Sequence, residues 1–172
     1  MNELDYVECM VKRKTSPLFV FLKFVCIILA VISALGFMTG IGAIIGMIVT
    51  LAFTVFFGFM AFLCNLNSNI EYEYQYCEKE VTVDKILNKN SRKRVGKFET
   101  ERMEAFGPIN SYHLDEFKNK NYQVLDFSDG EVHQSDTRYA LYYDGRQKLI
   151  MNPDERLVAA VYQVAPRKTF KD

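Results

Sequence analysis

An apolar run from Leu18 to Leu66 carries a single charge, Lys23. A helix that crosses a bilayer needs about 20 apolar residues and rarely more than about 25, so the run predicts two spans. They are placed at Leu18 to Phe37 and Ala43 to Leu66, with Gly36, Thr39, Gly40 and Gly42 at the reversal, where glycine admits the angles of a tight turn. Upstream, Leu4, Val7, Met10 and Val11 recur at helical spacing between early Glu3 and Asp5 and late Lys12, Arg13 and Lys14. That order suits a helix dipole and predicts a short amphipathic helix over residues 1–17, for the membrane surface or a groove on a soluble domain.

Beyond Asn69 the period changes to two. Ile70, Tyr72, Tyr74 and Tyr76 alternate with Glu71, Glu73 and Gln75, and Val81, Val83, Ile86 and Leu87 form the partner strand after a turn at Cys77 to Lys79. A third strand is expected over Lys93 to Phe106, bent because Val95, Phe98 and Met103 do not keep one parity. Ser111 or Asn110 caps a short helix with Leu114 and Phe117 inward, and Tyr122, Val124 and Phe127 make a strand. A hairpin turning at Asp144-Gly145 follows. The last element is a helix with Asn152 as N-cap and Pro153 at its first position. Its apolar stripe is Leu157, Val158, Val161, Tyr162 and Ala165, and Pro166 stops it. The predicted class is therefore α+β. A transmembrane helical hairpin at 18–66 precedes one soluble domain at 67–172, an antiparallel β-barrel or sandwich closed by the C-terminal helix.

Composition narrows the function. Of 172 residues, Lys and Arg number 21 and so do Asp and Glu, which removes the case for a globally basic nucleic-acid binder. Cys9, Cys26, Cys64 and Cys77 lack the spacing of a zinc site or a disulfide framework. His113 and His133 have no metal-ligand or catalytic partner in sequence, the serines lack a nucleophile elbow, and no glycine loop cradles a phosphate. Hence no enzyme, no catalytic or metal residue, no cofactor and no small-molecule substrate is expected. Lys12, Arg13 and Lys14 before the first span, with a basic soluble part after the second, orient both ends to the cytoplasm of a two-span cell-membrane protein. Lys23 snorkels to the headgroups. Gly42 and Gly46 have small-xxx-small spacing and form a candidate helix-packing face.

The N-terminal YVECMVKRK, the paired spans, NIEYEYQY, VTVDKI, KNSRKR and the closing NPDERLVAAVYQVAPRKTF resemble an uncharacterised family of small two-span membrane proteins of Gram-positive bacteria. The soluble part of that family is similar to bacterial PH-like domains, so the resemblance implies a PH-like fold at the C-terminal part. PH domains that bind inositol phosphates place basic residues in the first hairpin, where this chain has Cys77, Glu78, Lys79 and Glu80. A different basic run, Lys89, Arg92, Lys93, Arg94 and Lys97, is the candidate contact for anionic lipid or a partner, or else a turn kept solvated by its charge. Two functions follow. One is a membrane-anchored PH-like interaction module for anionic headgroups or a membrane or cytosolic protein. The other is a structural accessory subunit of a transporter or envelope complex, docked through its hairpin.

Overall fold

A computed structural model describes residues 6–40, 43–132 and 134–171. The chain forms two compact units, one from residues 15–70 and one from residues 1–14 together with 71–172.

The first unit is a pair of antiparallel helices, α1 (Pro17–Met38) and α2 (Ala43–Ser68), each long and apolar enough to cross a membrane. Pro17 opens α1, where its missing N–H costs nothing. Thr39 closes it with its N–H on the Leu35 carbonyl at 3.0 Å, and Gly40 takes the left-handed φ of 65° that ends a helix. Only one stripe of each helix is covered. On α1 it comprises Lys23, Cys26, Ala30, Ser33 and Phe37, and on α2 Gly46, Thr50, Thr54, Phe57, Ala61 and Cys64, an alternation of three and four residues that keeps a seam facing a partner helix. Gly36 belongs to this packing and not to the turn, since a Cβ there would meet Thr50 Cγ2 at 3.4 Å.

The second unit departs from expectation at its first element. Tyr6–Lys12 is a strand, β1, not an amphipathic helix. Val7, Val11 and the small apolar Cys9 also fit a period of two, and antiparallel pairing with β2 (Ile70–Cys77) satisfies the backbone groups on the side of β1 that faces it, support that an isolated short helix lacks. The soluble domain is therefore discontinuous: it does not begin at residue 67, and the helical hairpin is inserted between its first two strands.

β3 (Glu80–Leu87) and β4 (Ser91–Glu99) complete a four-stranded sheet in the order β1-β2-β3-β4. Glu78 and Lys79 at φ of 49° and 67° reverse β2 into β3, and Asn88 and Lys89 at 48° and 59° reverse β3 into β4. In this meander the end of β1, the start of β2 and the β3–β4 turn all lie at one end of the sheet. It is the end from which the chain continues into α1 and α2.

The expected third strand is two strands. A bulge opposite Val83/Asp84 absorbs the parity change in β4, and the chain turns at Thr100–Arg102 into β5 (Met103–Pro108). β6 (Gln123–Asp126), β7 (Tyr139–Tyr143) and β8 (Gln147–Met151) join β5 in a second sheet, ordered β5-β7-β8-β6, with β6 and β8 parallel. Two separate sheets face each other, so the fold is a sandwich and no closed barrel forms among the described residues. Tyr72 meets Phe127 and Phe98 meets Tyr143 edge-on between the sheets. The buried Tyr74 hydroxyl donates to the Phe127 carbonyl at 2.6 Å and accepts the Asn152 N–H at 3.4 Å.

The short helix α3 (Asp115–Lys118) follows a 3-10 turn capped by Ser111. The C-terminal helix α4 (Glu155–Val164) buries Leu157, Val158, Ala160 and Val161. Its N-cap is Asp154, which accepts the Leu157 N–H at 2.8 Å, and not Asn152, whose side-chain oxygen takes the Asp129 N–H at 3.0 Å. Tyr162 leaves the expected stripe; it is exposed beneath Lys171.

Candidate functional site

The basic run lies on the edge strand β4 and the turn before it, and strand geometry splits it between two faces. Arg92, Arg94 and Lys97 share the outer face with the carboxylates of β2 and β3. Arg92 pairs with Glu73, Arg94 with Asp84 at 3.4 Å and Lys97 with Glu80 at 2.9 Å. Lys97 holds the Glu80 carboxyl below the usual carboxylate range. Glu73 is fully buried, covered by neighbouring outer-face side chains, and Gln75 Nε2 donates to its Oε1 at 2.8 Å. Burial, and then a hydrogen bond shared with Glu8, raise the Glu73 carboxyl, whereas the bond to Glu73 and that from Tyr6 lower Glu8. These three cations are committed to the sheet's own acids.

The inner face differs. Lys85 and Lys93 are opposite each other in register, and Lys89 projects from the turn beside them. None of the three has an ion-pair partner among the described residues. Lys85 occupies the parity of Val81 and Val83, half-buried, and burial first, then the charges of Arg13 and Lys93, push its ammonium below the usual lysine range. Arg13 closes the group. Its guanidinium donates to the Tyr72 hydroxyl at 3.0 Å and the Asp126 carbonyl at 3.2 Å and lies 3.5 Å from the Asp126 carboxylate. Arg13, Lys85 and Lys93 thus gather positive charge that Asp126 partly offsets, and Lys89 lies on the adjoining β3–β4 turn. Such a cluster attracts oxyanions, phosphates among them.

Sequence reasoning picked out Lys89 and Lys93 but passed over Lys85. The signal was present: a lysine at the core-facing parity of a Val-rich strand is unusual unless its ammonium reaches a rim. Of the residues singled out for topology, Lys12 lies opposite Glu71, and Lys14 pairs with Glu131 at 2.8 Å while its N–H donates to the Asp129 carbonyl at 2.7 Å. Arg13 and Lys14 therefore belong to the folded domain.

In the helical unit, Gly46 lies half-buried on the seam and Gly42 is outside the described residues. Lys23 Nζ donates to Asn65 Oδ1 at 2.9 Å, so it links the two helices near their ends and does not merely snorkel. His113 stacks on Phe170, and His133 is outside the described residues. All four cysteines are free thiols. No cluster of metal-ligating side chains occurs among the described residues.

Comparison with known families matches residues 2–171 to a family model described as Bacterial PH-like domain (DUF6106). No curated protein and no solved structure matches the chain.

Proposed function

The chain belongs to the bacterial PH-like domain family (DUF6106), and from that premise we propose that it is a membrane-anchored binding module that applies one end of its first sheet to anionic lipid headgroups. PH-like domains commonly bind proteins or lipids, and the lysines favour lipid here. The carrying observation is that the unpaired Lys85, Lys89 and Lys93 gather at the end of the sheet from which both connections to the helices depart. Those connections are short, residues 13–16 on one side and Asn69 on the other.

Strand pairing supports the two-span arrangement. β1 precedes α1 and β2 follows α2, yet the two form one ladder from Tyr6↔Cys77 to Lys12↔Glu71. This ladder favours both ends of the hairpin in one compartment, and Lys12, Arg13 and Lys14 favour the cytoplasm as that compartment. There each lysine near an anionic leaflet contributes about 1 kcal/mol.

The test places the full chain, with Cys77 changed to Ser and a fluorophore on Asn90→Cys, in nanodiscs containing nitroxide-headgroup lipid. Quenching should be stronger with anionic than with zwitterionic lipid and should fade as the Debye length shrinks from about 10 Å at 0.1 M salt to about 3 Å at 1 M. Changing Lys85, Lys89 and Lys93 to Ser should abolish the difference, and changing Arg94 and Lys97 should not. Quenching indifferent to lipid charge and to the three lysines would refute headgroup contact.

A further inference from the structure

After α4, Ala165 leaves helical geometry and the chain makes a tight turn over residues 166–168, closed by the Lys168 N–H on the Ala165 carbonyl at 3.1 Å. It comes to rest on β5, the edge of the second sheet, in parallel register. The Phe106 N–H donates to the Lys168 carbonyl at 2.7 Å, and the Phe170 N–H donates to the Phe106 carbonyl at 2.7 Å. The tail is thus an added strand held by the backbone of one residue of β5.

Its side chains show what the edge selects. Phe170 lies against Gly107, where any Cβ would come within 3.0 Å of the Phe170 Cβ, and its ring stacks on His113 at 4.4 Å and 9°. Lys168 donates to the Glu101 carbonyl at 2.8 Å. Thr169 fits poorly: it is 3% exposed, and its hydroxyl finds no partner among the described residues. Clefts continue past the tail in both directions. One, of ≈ 490 Å³, adjoins Lys79, Thr100 and Glu101, and the other, of ≈ 670 Å³, adjoins Pro108, Tyr139 and Val158. The first cleft is walled on its other side by residues 164–168 themselves, and between the two clefts the tail desolvates a hydroxyl without satisfying it.

We propose that the β5 edge is a peptide-binding groove for an extended segment of another protein, with an aromatic side chain seated on Gly107 against His113, and that residues 168–170 occupy it in cis as a built-in competitor. Backbone pairing supplies sequence-independent attachment, and the Gly107–His113 seat supplies selection. A ligand with valine in place of the Thr169 position fits better than the tail, because the unsatisfied hydroxyl is gone.

The test uses the full chain in detergent micelles and a fluorescent peptide with the sequence of residues 165–172, valine replacing the threonine. The Phe170→Ala chain should bind it at least about tenfold more tightly than the wild-type chain, because a weakened cis tail leaves the groove open more of the time. A peptide with alanine in place of its phenylalanine should not bind. Should Phe170→Ala misfold, hydrogen exchange on the wild-type chain gives the answer: saturating peptide should deprotect the Phe170 amide while the Phe106 amide stays protected. Equal binding by both chains, equal binding by the alanine peptide, or unchanged exchange at Phe170 would overturn the proposal and leave the tail a fixed part of the fold.

Discussion

The two units use the same apolar residues in opposite senses. In the helical hairpin Phe21, Ile28, Ile32, Val55, Phe56 and Phe59 point outward, and the covered seam holds Lys23, Ser33, Thr50, Thr54 and small residues. In the sandwich Tyr74, Phe106, Leu149 and Leu157 are sealed inside, and the buried carboxylates Glu73 and Asp84 are each met by an arginine. Water enforces the second order by the cost of hydrating apolar surface, whereas in the first unit close packing and the Lys23–Asn65 hydrogen bond join two helices whose other faces are apolar. Tyrosine reports the same division. All ten tyrosines fall outside residues 18–66, and a buried phenol needs a hydrogen-bond partner. The buried Tyr74 hydroxyl has two such partners.

The largest way to break the contrast is to separate the parts of the sandwich that the hairpin divides. A fragment from Asn69 onward lacks β1 and should lose cooperative thermal unfolding. A single chain joining residues 1–14 to 69–172 through a flexible linker should keep it. Losing β1 removes one side of the ladder and uncovers Tyr72 and Tyr74, each large apolar side chain forfeiting roughly 1.5–3 kcal/mol against a total of about 5–15. Equal melting of the two fragments would show that β1 is dispensable.

Next come paired truncations. Leu157→Ala in the sandwich core should cost about 2–5 kcal/mol in denaturant unfolding of the joined fragment. Phe56→Ala, on the outward face of α2, should leave the full chain's stability in lipid within about 0.5 kcal/mol. A comparable loss from Phe56→Ala would mean that α2 is covered by another helix.

A smaller effect concerns Glu73. Its carboxyl is raised in the folded state, so folding favours the protonated form, and the charged form weakens folding as pH climbs from the ordinary glutamate range through the raised value. Glu73→Gln should therefore gain stability relative to wild type across that rise. A relative gain on acidification instead would contradict the raised Glu73 carboxyl.

Much of this was legible from the chain alone, for physical reasons. The two helices announce themselves because the apolar run is about twice the length of one bilayer-spanning helix, with glycines at its middle. β2 alternates cleanly in sequence, Asp144 and Gly145 adopt the positive φ their types favour, and α4 bears its amphipathic stripe. What escaped depended on distant partners. Val7 and Val11 satisfy a helical and an extended period equally, and only pairing with β2, some sixty residues away, decides between them. The basic run looked uniform, but Arg92, Arg94 and Lys97 are matched to Glu73, Asp84 and Glu80 by a register that includes a bulge. Asn152 and Asp154 are equally good caps by type, and Asp129 claims the first.

The most direct test of the inserted hairpin is disulfide trapping in native membranes. Glu8 lies opposite Gln75 on the outer face of the β1–β2 ladder, where directly opposed residues have Cα atoms about 4.5–5.5 Å apart, a spacing a disulfide accepts. With the native cysteines replaced, the pair Glu8→Cys and Gln75→Cys should crosslink under mild oxidant, so that cleavage within the hairpin no longer separates the N-terminal segment from the domain. The offset pair Glu8→Cys and Glu71→Cys should not. Failure of the first pair to crosslink, or equal crosslinking of both, would contradict the pairing of β1 with β2 and with it the return of the hairpin to the compartment where it began.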